Sequence, residues 1–172
     1  MAPSSMVTNT HVDDLPFIYD LFNQSVLYQE KKGFPGWRNY DKDAIVRDLD
    51  CKNQYKIVIN STIAIVFSIT YCDQIIWRAL DRGDSIYIHR VVINPEFKGQ
   101  KMFGLILKWA IEHIKTKGLK SIRMGAATPN IISYYKTFGF DVVEHYTTPD
   151  VSDLPIHNRK LALTLLEYRG LV

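Results

Sequence analysis

Cysteine is scarce in this sequence: Cys51 and Cys72 are the only two in 172 residues, and neither belongs to a CxxC pair or a Cys/His ligand run. A disulfide scaffold, a metal site and a CxxC redox motif are therefore not expected, and a reducing compartment fits. Long apolar runs are missing too. The longest nearly unbroken one, Ile63 to Phe67 with Ile69 beyond it, is far short of the ~20 residues that a membrane helix needs. The opening MAPSSMVTNT has neither an apolar stretch nor a basic flank, so no secretory signal and no membrane partner are expected. Residues 1–5 read as a flexible tail and the cytoplasm is the default location. Charge of one sign is also in short supply. With 21 basic and 18 acidic residues the net charge is only +3, too little to argue for a nucleic-acid partner. No Gly/Ser/Pro-rich linker, low-complexity stretch or long-period repeat divides the chain, which reads as one domain over residues 1–172.

What remains is an ordinary globular composition, 47% hydrophobic and 23% charged, with legible periodicity. After a short strand at Met6 to Thr10, Asp13 is placed to cap a helix in which Leu15, Ile18, Leu21, Phe22 and Val26 recur at helical spacing, ended by Gly33, Pro35 and Gly36. Asp41 is placed to cap a second helix to about Leu49. Tyr55 to Ile59 and Thr62 to Thr70 read as strands joined by a tight turn at Asn60-Ser61. A looser segment, Tyr71 to Asp84, precedes a β-rich run from Ser85 to Ile93 that stops at Asn94-Pro95. Phe103, Ile106, Leu107, Ala110, Ile111 and Ile114 make the apolar stripe of a long helix, stopped by Gly118. Leu119 to Gly125 reads as a strand, Asn130 to Thr137 as a short helix, and Phe140 to Thr147 and Arg159 to Tyr168 as the last strands. Hairpins mixed with βαβ crossovers predict an α/β (α+β) fold, a central mixed sheet of about six to seven strands flanked by about four helices.

Chemistry concentrates between Ile86 and Ile114. A strand that ends in Asn-Pro and is followed by Lys98, Gly99, Lys101 and a helix turns free N–H groups and a positive dipole end toward one spot, an arrangement that binds anions. Pro95-Glu96-Phe97-Lys98-Gly99-Gln100 resembles the acetyl-CoA signature of the GNAT superfamily of N-acetyltransferases, usually Pro-Glu-Tyr-Arg-Gly-Gln, with Lys98 at the arginine. Lys101 and Phe103 stand where that signature has its small residues, and Gly104 comes one position late. Farther on, Tyr134-Tyr135-Lys136-Thr137-Phe138-Gly139-Phe140 is similar to the family's Tyr-(Glu/Lys)-x-x-Gly-Phe ending. Thr128 holds the place of the family's usual asparagine, and Asn130 lies two residues off. The element order over residues 6–168 is also that of the family.

The resemblance implies an enzyme that moves the acetyl group of acetyl-CoA to a small or peptide amine through a ternary complex. The backbone of Val91, Val92 and Ile93 is then expected to pair with the pantetheine amides. Lys98, Gly99, Gln100, Lys101, Met102, Phe103 and Gly104, with Asn130 and Tyr135, are expected to line the rest of the acetyl-CoA site. Tyr135 is placed at the tyrosine that protonates the departing thiolate. His89, two residues before Val91 and so on its side of a regular strand, is the candidate base, with Glu30, Asp84 and Glu144 as alternatives. Arg90 points the other way unless a bulge intervenes, and is expected to pair with a carboxylate. Phe34 and Trp37, with Tyr40, sit where the family builds its acceptor wall. Lys101 and Phe103 motivate an alternative, an acyl-CoA-binding module without turnover. The last strand and the 148–158 loop are a candidate homodimer edge.

Overall fold

A computed structural model describes residues 5–33, 40–148 and 162–171. Its sheet has seven strands, β1 Ser5–Asn9, β2 Gln54–Ile59, β3 Thr62–Thr70, β4 Ser85–Ile93, β5 Ser121–Ala126, β6 Phe140–Thr147 and β7 Ala162–Tyr168, in the order β1-β2-β3-β4-β5-β7-β6. All neighbours are antiparallel except β4 and β5. That parallel pair needs a crossover, which the long helix supplies. The last strand therefore lies inside the sheet. The edges are β1 and β6, so the candidate dimer edge on β7 is overturned, and residues 149–158 of the loop lie outside the described residues.

Helices α1 Leu15–Lys32 and α2 Lys42–Asp50 cover one face of the sheet; α4 Phe103–Lys117 and α5 Pro129–Lys136 accompany the other. Under α4, Ile106, Ala110 and Ile114 meet Phe67, Ile86, Ile88 and Ile122 in the main core. On the opposite face Ile18, Leu21 and Phe22 of α1 and Ile45 of α2 close over Val66 and Val92. Trp109, just off the apolar stripe, packs against Tyr55 and His113 at 4.6 and 4.5 Å between ring centroids.

Local chemistry explains the boundaries. Asn60 and Ser61 both take positive φ, 48° and 65°, as a two-residue hairpin turn matched to strand twist requires. Gly33 and Gly118 end α1 and α4 in the left-handed conformation, where glycine has no Cβ to clash. Asp41 caps α2 by accepting from the Ala44 N–H. Asp13 is not the cap of α1: a 3₁₀ turn, Val12–Asp14, comes first and Asp14 takes the capping position, its carboxylate held by Lys56 at 2.7 Å.

The segment after β3 is more ordered than its sequence suggests. It contains α3 Gln74–Trp77 and a 3₁₀ turn, Arg78–Leu80. Trp77 is fully buried against Tyr87 and Leu165, so a core aromatic pins the connection on the α1–α2 side of the sheet, beyond the helices themselves. Among the described residues no helix is long and apolar enough to cross a membrane.

Candidate active site

The central feature is a parting of two strands. β4 and β5 pair from Ser85 with Ser121 to Ile88 with Met124, and then separate. Beyond that point β5 stays with β7 through Ala126 and β4 stays with β3 through Ile93. From His89 onward, no described strand pairs with the β5-facing edge of β4, so the Val91, Val92 and Ile93 segment borders a wedge that another extended chain could enter. Both helices that leave the two strands, α4 and α5, begin beside the opening.

A bulge sits at the mouth. β3 advances from Val66 to Ser68 while β4 advances from Val92 back to His89, leaving one extra residue on β4. Arg90, with φ of 48°, absorbs it. Its guanidinium holds Asp48 of α2, Nε donating to Oδ2 at 2.8 Å and Nη2 donating to the same oxygen, as the carboxylate expectation for Arg90 requires. The extra residue reverses the alternation of side chains. Ile86, Ile88, Val91 and Ile93 pack with the α4 core, whereas Val92 packs beneath α1 and α2 and His89 turns toward Thr70 and Asp73. The expectation that His89 shares the side of Val91 is therefore corrected: the two face opposite ways because the strand is not regular between them.

The loop at the start of α4 keeps its form without its glycines. Asn94 accepts from the Glu96 N–H and donates from Nδ2 to the Ile63 carbonyl at 2.9 Å, fixing where the strand ends. Pro95–Phe97 make one 3₁₀ turn, and Gly99 adopts φ of 81°. Lys101 adopts φ of 51°, a left-handed conformation that favours glycine. Gly99, Gln100 and Lys101 are exposed while Met102 is buried. Lys98 places its ammonium 4.4 Å from the Tyr28 ring centroid, tying the loop to α1.

Phe103 does not stand in the way of this loop. It is 1% exposed and turned into the core, with its ring 4.7, 5.3 and 5.9 Å from those of Tyr135, Phe138 and Phe140. Gly104 has a packing reason of its own, since a Cβ there would stand 3.4 Å from Phe138 Cε1.

Tyr135 lies near the end of α5, half-buried among Phe103, Tyr134 and Phe140. No described residue hydrogen-bonds its hydroxyl. Burial, with Tyr134 adding, raises that hydroxyl above the ordinary phenol range, so it is protonated at neutral pH. Thr128 caps α5, its hydroxyl accepting from the Ile131 N–H at 3.4 Å, and Asn130 is exposed in the first turn. His89 is 23% accessible and meets Thr70 Oγ1 at 3.1 Å through Nε2. Burial, with the Arg90 guanidinium adding, pushes its imidazole down to about 4.

The remaining candidates separate. Asp84 sits before β4, at the end away from the opening. Glu144 is held by Arg78, and Glu30 is exposed on α1. Tyr40 packs on Tyr19 and Phe22 of α1, while Phe34 and Trp37 lie outside the described residues. Two neighbours of His89 were not singled out from sequence. Asp73 comes within 3.6 Å of it, and no motif marks that aspartate. Gly125 lies one step beyond the last β4–β5 pair and is exposed; a glycine inside a strand is itself a signal of close approach.

No protein-family model and no curated protein matches the sequence. Solved structures are similar to the chain. A GNAT-family acetyltransferase from Listeria monocytogenes is 15% identical, with 97% of each chain covered and a TM-score of 0.75. A putative acetyltransferase of Salmonella typhimurium, yncA, solved with its cofactor acetyl-CoA, is 18% identical over 96% of this chain and 93% of that one, with a TM-score of 0.65. Arabidopsis thaliana Naa50, solved with the bisubstrate analogue CoA-Ac-MVNAL, is 13% identical over 96% and 99%, with a TM-score of 0.63. Strand order, parting strands and these likenesses agree: the chain has the fold of the GNAT N-acetyltransferases.

Proposed function

We propose that this protein belongs to the GNAT superfamily and moves the acetyl group of acetyl-CoA to an amine, within a ternary complex. The observation that carries the reading is the parting of β4 from β5 after Ile88 and Met124, with a lysine-bearing loop leading into α4 and Tyr135 on α5, the helix that follows β5. The free edge of Val91, Val92 and Ile93 pairs with the pantetheine amides as an added strand would. The N–H groups of Lys98, Gln100 and Gly104 donate within the loop, to Pro95, Phe97 and Lys101. Those of Gly99, Lys101, Met102 and Phe103, with the α4 dipole and the cations of Lys98 and Lys101, serve the phosphates; Gln100 and Gly104 line the same loop, and Asn130 reaches it from α5.

In the transfer a C–N bond forms and a C–S bond breaks, the nitrogen loses one proton and the sulfur gains one. Tyr135, protonated at neutral pH, gives the sulfur its proton and regains one from solvent. His89, on the opposite face, is the base, so the amine arrives from the α1–α2 side while the thiol leaves from the other. Phe34 and Trp37 contribute to the acceptor wall. The alternative, a module that holds acyl-CoA without turnover, took its motive from Lys101 and Phe103. The left-handed Lys101 and the buried Phe103 favour the catalytic reading, because neither residue closes the loop.

The reading is tested by an acetyl-CoA turnover screen against small amines and peptides, read by release of free thiol, with calorimetry of CoA on the same protein. CoA binding with turnover on at least one amine supports it. Binding without turnover across the panel supports the holding module, and absence of binding removes both.

A further inference from the structure

Among the described residues three buried side-chain atoms have no hydrogen-bond partner: Gln54 Nε2, Ser68 Oγ and Asp73 Oδ2. Such atoms are few in native structures and each calls for a reason. They are not scattered. Gln54 is the register partner of Ser68, and Ser68 that of His89, so the three stand in one row on one face. Asp73 Oδ2 is 3.6 Å from His89 Nε2.

Asp73 is held from several sides. Its N–H donates to Asp81 Oδ2 at 2.7 Å, and its Oδ1 accepts from the Ile76 N–H at 3.3 Å as the cap of α3. These contacts leave Oδ2 turned toward the imidazole. The His89 Nε2 that faces it also meets Thr70 Oγ1 at 3.1 Å. A lone pair on Nε2 would oppose a carboxylate oxygen, whereas an N–H there lies between two acceptors. Tautomers are set in this way by the partner of one ring nitrogen, which leaves the other for chemistry. No described residue hydrogen-bonds Nδ1. Gly125, one step beyond the last β4–β5 pair, is exposed and has no side chain; a Cβ on it would come into ordinary contact with Leu163 and Leu165 at 3.9 and 4.0 Å.

We infer that Asp73 is a positioning residue that, with Thr70, holds His89 as the Nε2–H tautomer and leaves its Nδ1 lone pair for the proton of the acceptor amine. The inference rests on the transferase reading for the amine, but the tautomer is a property of the protein alone. The charged groups around His89 are Asp73 with Asp81 behind it, Arg90 on its own strand and Asp48 of α2 on that arginine. Burial raises Asp73 to about 6, so at neutral pH the carboxylate is charged and the imidazole is not. As the C–N bond forms, the nitrogen becomes acidic enough to release its proton to a weak base. The proton moves to Nδ1, the imidazolium lies beside the Asp73 carboxylate, and the proton then passes to solvent through the exposed part of the ring.

The test is ¹⁵N NMR of the histidine side chains in the full protein without ligands, assigned with His89→Gln, for wild type and Asp73→Asn. Asparagine keeps the α3 cap but can donate to Nε2. Expected are an Nε2–H signal pattern in wild type and a shift toward Nδ1–H in Asp73→Asn. On any amine found to turn over, kcat should fall on the order of 10²-fold or more with CoA affinity retained. Thr70→Val leaves the Asp73 carboxylate in place and should keep the wild-type tautomer, Thr70 being the lesser of the two partners; loss of the Nε2–H pattern in Thr70→Val overturns the assignment to Asp73. An Nδ1–H pattern in wild type, or an unchanged pattern in Asp73→Asn, overturns the inference; should Asp73→Asn fail to fold, Asp73→Ser, which also keeps a capping oxygen, is read in its place. If no amine turns over, the transferase reading fails while the NMR result still stands for or against Asp73.

Discussion

The ring of Phe103, the first residue of α4, lies 4.7 Å from the ring of Tyr135 in α5. A large residue at a position where the GNAT signature has a small one thus becomes a wall for the tyrosine instead of an obstacle in the phosphate loop. Two substitutions separate these contributions. Tyr135→Phe keeps the ring and its packing, so it should fold normally and bind CoA nearly as well. A thiolate with a pKa near that of cysteine leaves tolerably without help, so turnover should fall by about 10²-fold. Full activity in Tyr135→Phe would remove the acid role. Phe103→Ala should cost about 3–5 kcal/mol in chemical denaturation, because the surrounding rings cannot collapse into the space.

Lys101 occupies a left-handed conformation with a Cβ. Lys101→Gly removes that strain, and the unfolding free energy should rise by up to about 1 kcal/mol after the entropy of the unfolded glycine is subtracted. The same change removes a cation beside the proposed phosphate site. CoA binding by calorimetry should weaken and lose part of its salt dependence, so stability and affinity move in opposite directions.

Arg90 and Asp48 are coupled through side chains that are 26% and 11% accessible. Removing one partner leaves the other charge largely out of water, and Asp48→Ala or Arg90→Ala should each cost about 2–4 kcal/mol. Arg90→Gly should be milder than Arg90→Ala by about 1 kcal/mol, since glycine suits the bulge. A double-mutant cycle in which the two alanine costs simply add would show that the pair is not coupled.

His89 and Asp73 should give opposite pH dependences. The folded state lowers His89 from 6.5 to about 4, so the unfolded chain binds more protons in that interval and this contribution is lost as pH falls through it. Asp73 is raised from 3.8 to about 6, so its contribution is present at low pH and lost as pH rises through that interval. In wild type the two largely offset one another. Denaturation between about pH 4 and 6.5 should show Asp73→Asn losing stability more steeply than wild type on acidification, and His89→Gln losing it on going from acid to neutral. Parallel profiles for all three proteins would contradict this assignment.

Much of this protein is legible residue by residue. The apolar stripe from Phe103 to Ile114 dictates a helix with one buried face, Asn60-Ser61 a tight turn, and Asn94-Pro95 the end of a strand, because those signals act within a few residues. Lys98 and Gly99 are singled out by their place beside such elements, and Tyr135 by the resemblance of the stretch from Tyr134 to Phe140 to the GNAT ending. Asp73 is not found in this way. It lies in the connection between β3 and β4, and only the burial of Trp77 against Tyr87 and Leu165 brings that connection onto the sheet.

The sequence alone therefore determined the mixed sheet and its helices, since periodicity and capping are local and survive outside any fold. Tertiary structure decided which way the side chains point. One extra residue at Arg90 gives His89 and Val91 opposite faces, and burial among four aromatic rings turns Phe103 from the loop into the core. Both outcomes depend on neighbours distant in the chain, Asp48 across the sheet face and Tyr135 on another helix. Register and packing are settled only when those neighbours meet.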